Sequence, residues 1–329
     1  MRQRPTAGTV IGMGGSEPAP GAGFSRRVLA RGQGLSAGRR FERARQIAAL
    51  DVEQDTVTIA RLLAFHEFPW DTEQALSLAL FRTFAVPTIG SLLDRTSEFT
   101  ERTQKRYDDT ALLLDGMLRN GMDDGDGREA LRRMNRMHAA HPISNDDLRY
   151  VLSTFVITPV RWNAGYGWRR LTPHEIAASV VYYRRLGALM GIKDVPADYA
   201  GFERLHDEYE REHFAFDPGG RRVADATLDL MASWYPRPLR GLVRRASIAM
   251  LDPHLVEAFG YRRVPAWERA AVAALLRARG GFVRLLPPRD RPRYATDSPN
   301  IRSYPRGFDV RTLGTFPDRP AGSPSPSPP

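Results

Sequence analysis

The chain of 329 residues can bury a sizeable core, its 42% apolar and 26% charged residues are those of a globular protein, and no apolar run nears the ~20 residues of a transmembrane span. Cysteine is absent, which excludes disulfides, Cys-ligated zinc, iron–sulfur clusters, a thiol nucleophile and thiolate-held or covalent c-type haem; any bound iron must be held by His, carboxylate, Tyr, Met or Lys. The net charge of +10 is almost wholly arginine, since Lys105 and Lys193 are the only lysines, and these arginines are scattered, which argues for solvated faces over a nucleic-acid patch.

Residues 1–36 are rich in Gly, Pro, Ala and Arg without apolar periodicity, so a flexible N-terminal segment is expected. Two near-motifs fall there. Gly12-Met13-Gly14 begins a dinucleotide fingerprint but has Glu17 where the third glycine belongs. Ser25-Arg26-Arg27-Val28-Leu29 imitates a twin-arginine export signal, yet 31–45 is charged where such a signal is apolar, so an intracellular, cytoplasmic location is expected.

From 37 to 285 apolar residues recur at three- and four-residue steps with few alternating β-branched runs, which predicts a single large all-α domain. Helices are expected over 51–65, 73–84, 102–119, 128–141 and 145–155. Another starts at Thr172-Pro173-His174-Glu175, where Thr can cap, Pro suits the first turn and Glu stands three places after the Thr; it stops at Gly191. Further helices are expected over 199–213, 223–234, 238–251 and 266–279, with the Gly219-Gly220 pair as another stop. The Pro- and Arg-rich tail, 286–329, is expected to lie partly along the domain through Tyr294, Ile301, Tyr304 and Phe308 and to be disordered at its end.

The chain's seven histidines supply the most useful chemical information. Over 128–141, Leu131, Met134, His138 and His141 follow a three-four-three step and share a face, while Arg132, Arg133 and Arg136 turn elsewhere. A dry, neutral imidazole on such a face suits ligation of haem iron, and equally suits a hydrogen-bonded core histidine, which spacing alone favours. In 206–213, His206, Glu210 and His213 align, and Glu210 to His213 has the Glu-x-x-His spacing of di-iron carboxylate bundles. No second such motif is present, so a solvated charged helix is the simpler reading. Arg106 and Thr110 stand one turn apart at the start of a helix that continues into Ala111-Leu112-Leu113-Leu114. Together they can address an anion or a bound oxygen species; the alternative is that Arg106 pairs with Asp108 or Asp109. Nucleophile elbow, Walker loop and His-Glu-x-x-His motifs are all missing.

Taken in order, Phe68-Pro69-Trp70-Asp71, Arg82-Thr83-Phe84-Ala85-Val86-Pro87, Arg106-Tyr107-Asp108-Asp109-Thr110, Arg133-Met134-Asn135-Arg136-Met137-His138, Ile143-Ser144-Asn145-Asp146-Asp147 and Tyr150-Val151-Leu152-Ser153-Thr154-Phe155 resemble the MpaB-like oxygenase family, relatives of the latex-clearing rubber oxygenases. The likeness spans roughly residues 37 to 285. It implies an all-α fold, haem b held through one histidine, and oxidation of an apolar, isoprenoid-like, unsaturated substrate with dioxygen. By the resemblance His138 becomes the axial iron ligand, with His141 in reserve. Arg106 and Thr110 match the first and last positions of the rubber oxygenases' Arg-x-x-Lys-Thr pattern, with Asp109 in the lysine's place; that branch's distal glutamate has no assigned counterpart. Two rivals make other predictions. A non-enzymatic, Arg-rich helical binding protein for nucleic acid or an anionic surface would bind in a salt-sensitive way without cofactor, and a non-haem di-iron oxidase would centre on Glu210 and His213.

Overall fold

The computed structural model describes residues 38–314; the near-motifs of the first 36 residues and the end of the tail lie outside the described residues. The described residues form fourteen α-helices linked by short 3-10 and π turns, with no strand among them. No single helix among them is long and apolar enough to cross a membrane.

After α1 (Glu42–Ala48), the Asp51 side chain accepts from Glu53 N at 2.9 Å and Gln54 N at 2.8 Å, and α2 (Thr56–Arg61) follows. The helix expected over 51–65 thus starts five residues late, because the aspartate satisfies backbone donors in a local turn that competes with the helix. It then widens into a π segment, Leu62–Glu67, closed by Phe68 N on Leu63 O at 2.9 Å. Helices α3 (Pro69–Thr83) and α4 (Pro87–Arg95) both place proline in the first turn, where its missing N–H costs nothing. A short α5 (Glu98–Glu101) leads into the packed pair α6 (Thr103–Asn120) and α7 (Gly125–Ala139).

The central helix is α8 (Asn145–Tyr166), packed against α3, α9 (Pro173–Leu189), α10 (Tyr199–His213) and α14 (Ala266–Leu285). Its buried residues cover every side, as a fully enclosed helix requires. The helix expected to end at 155 runs on through Pro159 to Tyr166: neighbouring helices hold it, and Asn163 Nδ2 donates to the Pro159 carbonyl at 2.9 Å. Thr172 and Glu175 form the expected capping box on α9, with Glu175 N on Thr172 Oγ1 at 3.2 Å and Thr172 N on Glu175 Oε2 at 2.8 Å. Gly191, at φ +73°, ends that helix as expected.

Helices α11 (Pro218–Ser233), α12 (Arg240–Met250) and α13 (Pro253–Ala258) complete the body. Gly219 and Gly220 stop nothing; they lie in the first turn of α11. A Cβ on Gly220 would stand 2.2 Å from the Phe84 carbonyl oxygen, and one on Gly90 would stand 2.7 Å from Gly220 Cα. The glycine therefore lets α4 and α11 cross in backbone contact. The main core joins α6 to α10 through residues such as Leu112, Met117, Leu131, Val156, Ile176 and Phe202, and a second lies among α3, α11 and α13 around Phe81, Val223, Leu255 and Phe259.

The tail is ordered against this body as far as residue 314. Tyr294 meets the Phe65 ring at 4.9 Å, and Ile301 and Tyr304 pack on the main core as expected. Phe308 does not anchor; it is exposed beside Tyr304. Leu313 anchors instead, fully buried, with its carbonyl accepting from Arg133 Nε. A lone apolar residue after a turn carries no periodic signal, so the sequence pattern did not reveal it.

Candidate functional site

Helices α6 and α7 and the turn that follows α7 carry Arg106, Thr110, His138 and His141. Arg106 and Thr110 are one turn apart on α6, and the spacing brings them together: Arg106 Nη1 donates to Thr110 Oγ1, while that hydroxyl donates its own proton to the Arg106 carbonyl at 2.9 Å. The hydroxyl is therefore fixed as the guanidinium's acceptor. Phe99 lies 5.0 Å from the guanidinium carbon and offers its ring to the charge. Burial pulls the Arg106 pKa down, and Asp109 and Glu98 only partly offset it. No carboxylate lies within ion-pair distance of Arg106 among the described residues, an uncommon condition for a guanidinium this deep.

The alternative pairing with Asp108 or Asp109 is not formed, because both acids face the tail. Asp108 accepts from Gln104 Nε2 at 2.8 Å, Arg302 N at 3.0 Å and Ser303 N at 2.8 Å. Asp109 accepts from Lys105 Nζ at 2.6 Å and from the Tyr304 hydroxyl. Asp109, standing at the lysine position of the related branch, is thus an anchor for the tail.

On α7, Leu131 is buried, Met134 packs on the core and His138 follows on the same face. His138 is half-buried, but its Nδ1 is enclosed and has no hydrogen-bond partner. Burial first, then the charges of Arg106 and His141, push its pKa down to about 4, so the ring is neutral at neutral pH with a lone pair free. That Arg106 acts on His138 places the two side chains in one electrostatic neighbourhood. His141 departs from expectation: α7 ends at Ala139, and His141 sits in the following turn, its N–H on the His138 carbonyl at 3.1 Å. The alanine pair 139–140 frays into a turn before Pro142, so the three-four-three step does not extend to it.

Sequence reasoning missed three neighbours. Glu98 is buried one short helix before α6, accepts from Arg102, and acts electrostatically on Arg106. Tyr107 packs edge-on against Trp234 at 5.1 Å, and the enclosed Trp234 Nε1 has no acceptor. Trp234 follows α11, far along the chain, and no motif links it to α6.

The Glu-x-x-His helix is built differently. Glu210 receives Arg82 through Nε at 2.7 Å and through Nη2, and the Tyr150 hydroxyl at 3.0 Å. His213 lies stacked on Tyr209 at 4.0 Å with Nδ1 near the Tyr209 carbonyl. Three or more metal-ligating side chains do not converge anywhere among the described residues. A shallow, open hollow of about 400 Å³ lined by Arg149, Asp194, Asp198, Arg204 and Glu208 lies elsewhere and holds none of these residues.

The fold and site define an all-α protein whose distinguishing chemistry is a neutral, unpartnered imidazole beside an unpaired guanidinium on two packed helices. Residues 74–285 match the family described as the catalytic domain of ER-bound oxygenase mpaB/B' and rubber oxygenase, and the chain belongs to that family of oxygenases. It is 29% identical over 263 residues to the ER-bound oxygenase mpaB' of Penicillium brevicompactum, covering 74% of this chain and 62% of that protein. To mpaB of the same species it is 30% identical over 216 residues, 60% of this chain and 55% of the relative. To mpaB of Penicillium roqueforti it is 28% identical over 235 residues, 66% and 79% respectively. The chain thus spans less than two thirds of the length of the first two relatives.

Proposed function

We propose that this chain is a haem b-dependent oxygenase that oxidises an apolar, isoprenoid-like, unsaturated substrate with dioxygen, with His138 as the iron ligand and Arg106 and Thr110 completing the polar side of the site. The observation that carries this reading is the enclosed, unpartnered Nδ1 of a neutral His138 beside a half-buried Arg106 that lacks a carboxylate. An enclosed imidazole nitrogen and a largely desolvated cation both left open cost stability in an isolated protein, so they fit a group that brings a metal and a negative charge. A haem bound here supplies an iron centre for oxygen activation.

The chain's own residues do the rest. With its pKa near 4, His138 needs no deprotonation before it ligates at neutral pH. Arg106 stays charged and offers its remaining N–H groups to a propionate or to an oxygen atom that gains negative charge; Thr110 holds the guanidinium in place through the fixed hydroxyl. Leu131, Met134 and the apolar run after Thr110 keep water from the surroundings. His141, off the helix, is the reserve ligand. A cytoplasmic location and no nucleic-acid partner accompany this reading.

Protein expressed with haem supply should show a Soret band and about one haem b per chain by pyridine haemochrome assay. His138→Ala should abolish both while His141→Ala keeps them. Full haem retention by His138→Ala overturns the ligand assignment, and absence of porphyrin under haem-replete expression overturns the haem reading.

A further inference from the structure

Helix α14 is twenty residues long, yet Gly280 is its only buried residue. That glycine lets the helix lie directly on the end of α8, where a Cβ would stand 2.5 Å from the Tyr166 carbonyl oxygen. The opposite face is apolar and bare. Trp267 is 72% exposed, Leu275 71%, Phe282 62% and Leu285 83%. At 100° per residue these four fall within an arc of about 80°, and the residues between them on that arc are the exposed alanines 271 and 278, with the exposed Ala274 about 20° beyond its edge. An amphipathic helix normally turns such a stripe inward; here none of the described residues covers it.

The neighbouring helix continues the surface. Packed against α14, α12 presents Leu242 at 64% exposure, and Tyr235 and Leu239 just before it are also exposed. The border is cationic. Arg277 and Arg284 stand exposed on one flank of α14, about 80–100° around the helix from Trp267 and Leu285, and Arg237 and Arg240 are exposed beside Leu242. Residues 235–251 contain no acid, and the one acid of α14, Glu268, is held by Arg245 at 2.5 Å. Two copies of this face brought together would set arginine rows against one another without carboxylates to receive them. An anionic lipid surface satisfies both parts: apolar side chains enter the headgroup–acyl boundary, Trp267 among them, while the guanidiniums meet phosphates.

We propose that the α12–α14 face is a peripheral docking surface for anionic membranes, with α14 lying in the interface plane. Tyr235 follows Trp234, which packs on Tyr107 of α6, the helix that also carries Arg106. The proposal does not depend on the haem reading, because lipid binding is measured without turnover.

The test is flotation of the full chain with vesicles of phosphatidylcholine alone or mixed with phosphatidylglycerol. Binding should require the anionic lipid and weaken with salt. The double variants Phe282→Asp with Leu285→Asp, and Arg277→Glu with Arg284→Glu, should each bind at least about tenfold more weakly with unchanged far-ultraviolet circular dichroism. The arginine pair leaves the apolar stripe intact and so separates charge from greasiness. Equal flotation with both vesicle types, wild-type binding by the arginine pair, or no flotation together with a stable dimer that Phe282→Asp makes monomeric would each overturn the proposal.

Discussion

Arg82 and Arg106 are both arginines held deep in the helical body, and the protein surrounds them in opposite ways. Arg82 is closed: Glu210 takes it through two nitrogens and Asp252 Oδ2 through a third at 2.6 Å. Burial alone would lower its pKa, but those carboxylates outweigh burial and the net shift is upward. Arg106 is open: its side chain meets one neutral hydroxyl and an aromatic ring, and burial carries its pKa downward. A closed charge ties helices together, since α3, α10 and the start of α13 all meet at Arg82. An open one is a cost that folding alone does not repay, and such groups gather at functional sites.

The largest expected effect is on the closed charge. Glu210→Ala should destabilise the chain by about 3–5 kcal/mol, because it leaves Arg82 buried with Asp252 alone; urea melts measure it. A loss below about 1 kcal/mol would erase the contrast between the two arginines. Next is the imidazole beside the open charge. His138 is depressed to about 4 when folded, so below pH 6.5 the unfolded chain takes a proton that the folded ring refuses. Its contribution is present above about pH 6.5 and is lost as pH falls toward 4, at up to about 1.4 kcal/mol per pH unit. Melts of haem-free protein should show that slope in wild type, and His138→Ala should flatten it.

Tyr304→Phe removes a hydrogen bond from Asp109 but leaves Lys105, so a loss of about 1 kcal/mol is expected with haem content unchanged. A fall in haem content would tie Asp109 to the site instead of the tail. The smallest effect belongs to Arg106→Met. Removing an unpaired, half-buried charge should leave haem-free stability within about 1 kcal/mol of wild type or raise it, while haem retention falls. A loss as large as that of Glu210→Ala would mean that Arg106 is structural.

Periodicity made the helical class, the Thr172 capping box, the Gly191 stop and the Arg106–Thr110 pair legible before any coordinates, because each rests on contacts within one turn of chain. What failed depended on distant partners. Pro159 lies inside a helix because other helices surround it, and Gly219-Gly220 serves a crossing with α4 that no local rule announces. His138 was legible as an apolar-face imidazole, but its depressed pKa comes from burial and from Arg106 and His141, and its Nδ1 finds no partner among the described residues. Trp234, Glu98 and Leu313 reach their places through tertiary packing alone.

The buried Leu313 and the two aspartates that hold residues 302–304 set an order of events during synthesis. Until residues 302–313 leave the ribosome, Asp108 lacks its backbone donors and the α6–α7 pair lacks its final apolar plug. The helices bearing Arg106 and His138 are made well before the 302–313 segment that completes them. A chain cut after residue 285 would hold all fourteen α-helices of the described residues with that pair still unfinished.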